Sequence, residues 1–217
     1  MPEAVIFDMD GVIVDSERYW KQHEDRVYDD LLPDGLDASK VLQQVKGMNF
    51  REIYDFLRRE YGTNISRDEF IKRYHDIAET IYQDQVSMMD GFPDLVQQLR
   101  DSGARVGLAS SSPPSWIEMV LERFGLEDAF DTTLSAEQID TDGKPQPGIY
   151  LEAAERLGVD PEDCTAVEDS PNGIMAAKQA GMRCIAYLAH SNEDDDLSKA
   201  DLVATDPNEL TSYLLED

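Results

Sequence analysis

The chain has 217 residues, with 46 acidic and 19 basic side chains and a formal net charge of −27 at pH 7. So negative a field repels nucleic acid and anionic membranes, and we expect neither as a partner. The sequence lacks the run of about 18 apolar residues that a membrane-spanning helix requires. Its first residues also lack the basic and apolar segments of a secretory signal, so we expect a cytoplasmic protein.

The acidic excess resembles that of proteins from salt-accumulating halophiles, and we interpret the chain as halophilic. Two cysteines, Cys164 and Cys184, lie inside apolar strand-like segments. This setting is typical of buried thiols in a reducing compartment, and a disulfide or a reactive thiol is the alternative. Zinc-type Cys/His spacing is absent from the sequence.

The first predicted element is a buried strand, Ala4-Val5-Ile6-Phe7. From residue 16 to residue 88 the pattern changes to charged segments whose apolar residues lie three or four positions apart. Three helices are predicted there, at Ser16–Leu32, Phe50–Tyr61 and Ser66–Val86. The region therefore predicts an all-helical insertion after the first strand.

Strands and helices alternate after Gly91. The predicted strands are Arg105–Ala109, Cys164–Val167, Cys184–Tyr187 and Asp201–Val203. The predicted helices are Asp94–Asp101, Trp116–Phe124, Gln146–Leu157, Asn172–Gln179 and Asn208–Leu215. This alternation predicts an α/β fold with a parallel sheet and helices on both faces. Ligands of such sheets bind beyond the carboxyl ends of the strands.

Polar side chains follow three of the predicted strands. Asp8 and Asp10 follow the first strand, Ser110 follows the next, and Glu168-Asp169 follows a third. If the strands are parallel, these side chains converge on one edge of the sheet. A single Asp after a strand often only caps a helix or turn, but a whole cluster of carboxylates is unfavourable without a cation. Oxygen ligands without His or Cys suit Mg²⁺.

The segment Asp8-Met9-Asp10-Gly11-Val12-Ile13-Val14-Asp15-Ser16-Glu17 resembles the signature of the haloacid dehalogenase-like phosphatase superfamily. Ser110, Lys144 and Glu168-Asp169-Ser170 match its other three motifs in the expected order. The resemblance implies a Rossmann-like catalytic core formed by residues 1–15 and 89–217. It also identifies the helical insertion, residues 16–88, as a cap domain.

The resemblance implies a role for each motif residue. Asp8 would be the nucleophile and would form an aspartyl-phosphate, while Asp10 would protonate the leaving oxygen and later deprotonate water. Lys144 would neutralise charge on the nucleophile and the phosphoryl group. Because the dehalogenases of the superfamily lack an acid at the position of Asp10, its presence favours phosphoryl transfer.

The resemblance also implies a metal site and a phosphate site. Asp169 would bind Mg²⁺ together with Asp8 and the backbone carbonyl of Asp10, and Glu168 is a ligand in some relatives. Ser110 and Ser111 would bind a phosphate oxygen. Ser170 has a structural alternative, because Ser170-Pro171 also suits a helix N-cap and first helical position.

Lys46-Gly47 matches a substrate-facing loop of the β-phosphoglucomutase-like subgroup, so both residues are candidates for substrate binding. The alternative for Lys46 is an ordinary surface lysine. Trp20 is a candidate either for helix packing or for stacking on substrate.

Two departures from β-phosphoglucomutase favour a hydrolase. That enzyme has a cap histidine where this chain has Tyr19-Trp20-Lys21, and a Lys-Asn pair where this chain has Pro113-Pro114. We therefore predict a Mg²⁺-dependent phosphatase acting on a sugar, polyol or glycolate phosphate, as a monomer or weak homo-oligomer. A phosphomutase and a catalytically silent binding module are the alternatives.

The net charge of −27 predicts that stability depends on salt. Exposed carboxylates repel one another over a Debye length of about 10 Å at 0.1 M salt, which shrinks to about 3 Å at 1 M. We therefore expect the melting temperature to rise as KCl is raised toward molar concentration. A melting temperature that stays level across a KCl titration, followed by circular dichroism, would contradict salt adaptation.

Overall fold

A computed structural model describes residues 1–23, 41, 44, 50–63, 65–140, 142–188 and 196–216. The chain divides into two compact units. The first comprises Met1–Glu17 and Ser87–Asp217, and the second comprises Arg18–Val86. None of the described helices is both long enough and apolar enough to cross a membrane.

The first unit is built on a six-stranded parallel sheet in the order β3-β2-β1-β4-β5-β6. The strands are β1 Ala4–Phe7, β2 Arg105–Ser110, β3 Thr132–Ser135, β4 Cys164–Glu168, β5 Arg183–Tyr187 and β6 Leu202–Ala204. Every residue of β1 and β4 is buried, as expected for central strands covered on both faces. The predicted α/β fold is confirmed.

Helices of the first unit cover both faces of this sheet. In chain order, the second unit contains α1 Phe50–Glu60 and α2 Arg67–Thr80, and the first unit contains α3 Phe92–Asp101, α4 Pro114–Phe124, α5 Gly148–Leu157, α6 Pro171–Gln179 and α7 Pro207–Leu215. Ala4 and Ile6 share a core with apolar residues of α5 and α6. Phe7 points to the opposite face, where its ring meets Phe92 of α3 at 5.2 Å between centroids. The alternation of β1 side chains thus divides the core into two layers.

The strand β3 was not predicted. Its sequence, Thr-Thr-Leu-Ser, is four residues long, and only its last two residues are buried. It occupies one edge of the sheet, so it has a single partner strand, β2. A short, half-polar segment lacks the apolar run by which the central strands were recognised.

Helix termini account for most differences between predicted and observed bounds. α3, α4, α6 and α7 each begin one or two residues before the predicted start, in each case with proline in the first turn. Proline fits there because the first helical N–H groups need no partner within the helix. The predicted helix Ser66–Val86 is observed as α2 followed by a π-helical turn, Ile81–Gln85.

Two paired segments carry the chain out of the first unit and back into it. Met89 donates its backbone N–H to Ile13 at 2.8 Å, and Val14 forms an antiparallel bridge with Met88. The Asp15 carboxylate accepts the backbone N–H of Ser87 at 2.5 Å. Asp15 is buried, so this hydrogen bond fixes the pairing where both segments leave the core.

Residues 17–23 form a helical segment that precedes α1 and α2. It begins at Glu17, the last residue of the N-terminal part of the first unit, and continues into the second unit. The core of the second unit is aromatic: Trp20 stacks on Tyr74 at 5.9 Å between ring centroids, and Tyr74 meets Phe70 at 4.7 Å. The Trp20 indole N–H also donates to the Tyr82 hydroxyl at 3.2 Å. Trp20 is therefore engaged in helix packing, the first of its two predicted roles.

Candidate active site

The strand order places the motif residues at the point where the topology reverses. After β1 the chain builds β2 and β3 on one side, then returns to add β4 on the other side of β1. Ligands of open α/β sheets bind at such a switch point, beyond the carboxyl ends of the strands. Asp8 follows β1, while Ser110 and Glu168 end its two neighbours β2 and β4.

A tight turn after β1 brings Asp10 back over the sheet edge. Gly11 has a φ of 77°, which favours glycine, and its N–H donates to Val14 at 2.8 Å. A Cβ at Gly11 would also overlap the carboxylate of Asp169. Glycine is therefore required at position 11 for two reasons. Its positive φ favours glycine, and the absence of a Cβ leaves room for Asp169, the residue after β4.

The Lys144 side chain joins the two central strands. Its ammonium donates to Asp8 Oδ1 at 2.6 Å, to Glu168 Oε1 at 2.5 Å and to the Ala109 carbonyl at 3.1 Å. These contacts use the three N–H donors of an ammonium group. The Lys144 side chain is only 7% exposed, so it is a buried cation held by two carboxylates rather than a surface lysine.

Glu168 is fully buried and accepts hydrogen bonds at both carboxylate oxygens. Oε1 accepts from Lys144 and, at 2.6 Å, from the hydroxyl of Tyr150; Oε2 accepts from Ser170 at 3.2 Å. The backbone of α6 approaches the same group, because a Cβ at Gly173 would overlap the Glu168 carboxylate. Glu168 is thus held from three sides.

Burial and like charges dominate the electrostatics of this cluster. Burial raises the pKa of Asp8 to about 8, against the opposing effect of Lys144. Burial and the carboxylates of Asp8 and Glu168 also raise the pKa of Asp169 well above its ordinary range. Burial lowers the pKa of Lys144, but the same two carboxylates outweigh it and raise that pKa above its usual value. Among the described residues the cluster is short of positive charge.

The residues present fit a divalent metal ion. Asp8, Glu168 and Asp169 each offer a buried carboxylate oxygen, and these atoms all lie within 4.8 Å of one another. The donors are oxygen only, which suits a hard cation such as Mg²⁺. A second positive charge would also offset the burial and the carboxylate repulsion that raise the pKa values of Asp8 and Asp169.

Asp10 has a different environment from Asp8. Its Oδ1 accepts from the hydroxyl of Ser16 at 2.5 Å, and its Oδ2 accepts from the hydroxyl of Ser112 at 2.7 Å. Ser112 is in turn hydrogen-bonded to β3: the hydroxyl of Ser135 donates to the backbone carbonyl of Ser112 at 2.7 Å. Hydroxyls orient the Asp10 carboxyl group, whereas an ammonium holds that of Asp8.

The remaining predicted residues are distributed as follows. Ser110 is buried, and its Oγ accepts the N–H of Ser112 at 3.0 Å, which stabilises the turn after β2. Ser111 is exposed. Ser170 caps α6, since its Oγ accepts the N–H of Gly173 at 3.1 Å. Lys46 and Gly47 lie outside the described residues.

Three residues of the site were missed in the sequence analysis: Ser16, Ser112 and Tyr150. Ser112 follows Ser110 and Ser111 in the sequence, and nothing in this run of three serines indicates which hydroxyl reaches Asp10. Tyr150 lies on the buried face of α5, where helical periodicity predicts only an apolar core residue. Its hydroxyl meets Glu168 because α5 packs against β1 and β2.

Comparisons with known proteins show similarity to one family of enzymes. A family model described as a haloacid dehalogenase-like hydrolase matches residues 2–181. Hexitol phosphatase B of Escherichia coli is 37% identical over 213 residues, which cover 96% of this chain and 94% of the relative. A phosphorylated carbohydrates phosphatase of Thermotoga maritima is 33% identical over 217 residues, covering 99% of each chain. The crystal structure of a β-phosphoglucomutase from Clostridium difficile matches with a TM-score of 0.76 and 26% identity, covering 100% of this chain and 96% of that one.

The close approach of α6 to Glu168 predicts that Gly173→Ala is destabilising. Alanine is normally the better helix former, but here its Cβ would overlap the Glu168 carboxylate. We expect the free energy of unfolding to fall by about 1–3 kcal/mol, the usual cost of overpacking a core, in urea denaturation. Gly143→Ala is the matched control, because a Cβ there meets nothing within 4 Å. A Gly173→Ala variant as stable as the wild type would contradict the steric argument.

Proposed function

The chain belongs to the haloacid dehalogenase-like hydrolases and is an enzyme of their phosphatase type, and we propose that it hydrolyses small phosphate monoesters with the help of Mg²⁺. The substrate class is a sugar, polyol or glycolate phosphate. The two phosphatase relatives, named for hexitol phosphates and phosphorylated carbohydrates, support a substrate of this kind.

The observation that carries the proposal is the ammonium of Lys144 between Asp8 and Glu168. A nucleophilic carboxylate must be ionised to attack phosphorus, although burial opposes that state for Asp8. The neighbouring ammonium favours the ionised form and lies where the negative charge of a phosphoryl group would accumulate. Lys144 therefore serves both the nucleophile and the transferred group.

In the first step an oxygen of Asp8 forms a bond to phosphorus as the bond from phosphorus to the ester oxygen breaks. Asp10 gives its proton to that leaving oxygen, which departs as an alcohol. Ser16 and Ser112 fix the orientation of the Asp10 carboxyl group for this transfer. The product on the enzyme is an aspartyl-phosphate.

In the second step water attacks the phosphorus of the aspartyl-phosphate. Asp10, now ionised, takes a proton from the water as the bond between phosphorus and Asp8 breaks. Inorganic phosphate leaves, and both aspartates return to their starting states. One residue acts first as acid and then as base, so no further titratable group is needed.

Asp8 and Asp169, with the backbone carbonyl of Asp10, would hold Mg²⁺, and Glu168 is a further candidate ligand. When bound, the ion supplies positive charge to the nucleophile and to a phosphate oxygen. Ser110 and Ser111 would bind the phosphate, and Lys46 with Gly47 would contact the rest of the substrate. Residues 16–88 would act as a cap that excludes bulk water.

The net charge of −27 supports a salt-rich cytoplasm as the site of action. We place the enzyme there as a monomer or weak homo-oligomer. A catalytically silent module is disfavoured, because the motif residues Asp8, Asp10, Lys144 and Asp169 are all present.

A phosphomutase is the second candidate, and the matched β-phosphoglucomutase structure favours it. A mutase must bind the phosphate group that does not react, and this requires a cation beside the second motif, which contains Ser110. This chain has Pro113-Pro114 there, at the start of α4, and neither residue can supply a positive charge. Trp20, in the region of the expected cap histidine, packs against Tyr74. Both observations favour water as the acceptor.

Replacing Asp8 by asparagine tests the nucleophile. The amide cannot form an acyl-phosphate, so we expect phosphate release to fall below about 1% of the wild-type rate. The assay uses hexitol, hexose and glycolate phosphates together with p-nitrophenyl phosphate, in Mg²⁺ and high KCl.

Asp128→Asn is the control for the lost charge, because Asp128 is exposed. It should retain full activity, and circular dichroism should show both variants folded. EDTA should stop the wild-type reaction and Mg²⁺ should restore it. Undiminished turnover by Asp8→Asn, or by the wild type in EDTA, would refute the mechanism.

Hydrolase and mutase differ in the acceptor of the phosphoryl group, since both pass through the same aspartyl-phosphate. With β-glucose 1-phosphate and a glucose bisphosphate primer, we expect free phosphate to form faster than glucose 6-phosphate, because no cation at Pro113-Pro114 holds the second phosphate. Both products are quantified in one time course. If glucose 6-phosphate outpaces phosphate by about tenfold or more, the mutase assignment is correct.

A further inference from the structure

Tyr150 places a polar group deep inside an otherwise apolar helix face. It lies on α5 between buried residues such as Ile149 and Ala153, and its side chain is completely buried. Phenylalanine would fill the same space without a polar atom. A buried hydroxyl is unfavourable unless it has a hydrogen-bond partner, and here the partner is Glu168 at 2.6 Å.

The hydroxyl of Tyr150 and the ammonium of Lys144 bind the same oxygen. Glu168 Oε1 accepts from Tyr150 at 2.6 Å and from Lys144 at 2.5 Å, and the Lys144 ammonium lies 5.2 Å from the centre of the Tyr150 ring. The other oxygen of Glu168 has a longer contact, 3.2 Å to Ser170. Tyr150 is therefore the donor that fixes which oxygen of Glu168 faces Lys144.

This arrangement forms a chain of contacts that ends at the nucleophile. Tyr150 orients Glu168, Glu168 holds one N–H of Lys144, and a second N–H of Lys144 reaches Asp8. An ammonium on a flexible four-carbon stem keeps one position only if its acceptors are themselves fixed. The Ala109 carbonyl is fixed by β2, whereas a carboxylate can rotate.

We propose that Tyr150 is a positioning residue for the phosphoryl transfer, whose hydroxyl locks Glu168 against Lys144 and thereby aims the ammonium at Asp8. The proposal rests on the hydrolase function argued above. Lys144 acts on the negative charge that develops during phosphoryl transfer. A poorly positioned ammonium group therefore lowers kcat more than it weakens substrate binding.

The first measurement is the steady-state kinetics of Tyr150→Phe with p-nitrophenyl phosphate. We expect kcat to fall by about 10- to 100-fold, the usual cost of losing a group that orients a binding side chain, while KM changes by less than about twofold. Tyr187→Phe is the matched control. Tyr187 is also a buried tyrosine of the first unit, but its charged neighbours are Asp206 and Asp90 rather than the cluster around Lys144.

A double-mutant cycle separates positioning from a general loss of stability. If Tyr150 acts through Glu168, adding Tyr150→Phe to Glu168→Gln should lower kcat by less than about twofold further. A hydroxyl with only a structural role would give independent, multiplying effects. Full additivity in the cycle, or an unchanged kcat in Tyr150→Phe, overturns the proposal.

A measurement without substrate keeps the proposal testable if the hydrolase function fails. In ¹⁵N-labelled protein, the slowly rotating ammonium group of a buried lysine gives its own NMR signal, assigned here by its loss in Lys144→Gln. We expect this signal to broaden or shift in Tyr150→Phe and to persist unchanged in Tyr187→Phe. Absence of phosphate release by the wild type would refute the hydrolase function alone. An unchanged Lys144 signal in Tyr150→Phe would refute the positioning role.

Discussion

The buried ammonium of Lys144 is the interaction on which the rest of the site depends. Asp8, Glu168 and Asp169 bring three carboxyl groups to the ends of adjacent strands. Burial and repulsion by neighbouring carboxylates raise the pKa values of Asp8 and Asp169. Lys144 binds two of them and a backbone carbonyl, so its charge is shared across the strands β1, β2 and β4. One lysine does not neutralise three acids. A divalent cation would offset the remaining negative charge, and the cation would in turn attract the anionic phosphate ester.

The fold provides this arrangement with little irregular structure. Parallel strands point their carboxyl ends to one edge, and the strand order reverses beside β1 at that edge, which is where ligands of open α/β sheets bind. Two glycines leave room for the acidic side chains. A Cβ at Gly11 would overlap the carboxylate of Asp169, and a Cβ at Gly173 would overlap that of Glu168. The close packing that positions the carboxylates also prevents them from moving apart, which makes charge compensation the available way to stabilise them.

Asp8 and Asp10 belong to one motif but have separate environments, and the difference fits the separate chemical roles proposed for them. Asp8 is held by an ammonium, which opposes the effect of burial and favours the ionised carboxylate that the proposed nucleophilic attack requires. Asp10 is held by the hydroxyls of Ser16 and Ser112, which are neutral donors that orient its carboxyl group. Such neutral contacts suit the proposed role of Asp10, in which it releases and regains a proton in one cycle. Ser16 links Asp10 to the segment in which the chain leaves the first unit. Ser112 links Asp10 to the edge strand β3 through its hydrogen bond with Ser135.

The sequence by itself determined the α/β class, the central strands and the motif acids, because buried β-branched runs followed by Asp or Glu leave a strong local pattern. It did not indicate β3, whose four residues acquire strand structure only by pairing with β2. Nor did it distinguish Ser112 from Ser111, or the hydroxyl of Tyr150 from an ordinary core aromatic. Only the tertiary structure decided these, because each depends on a contact with a residue far along the chain: Ser112 with Asp10, and Tyr150 with Glu168. Local periodicity records which face of an element is buried, whereas the partner across the core is set by how the elements pack.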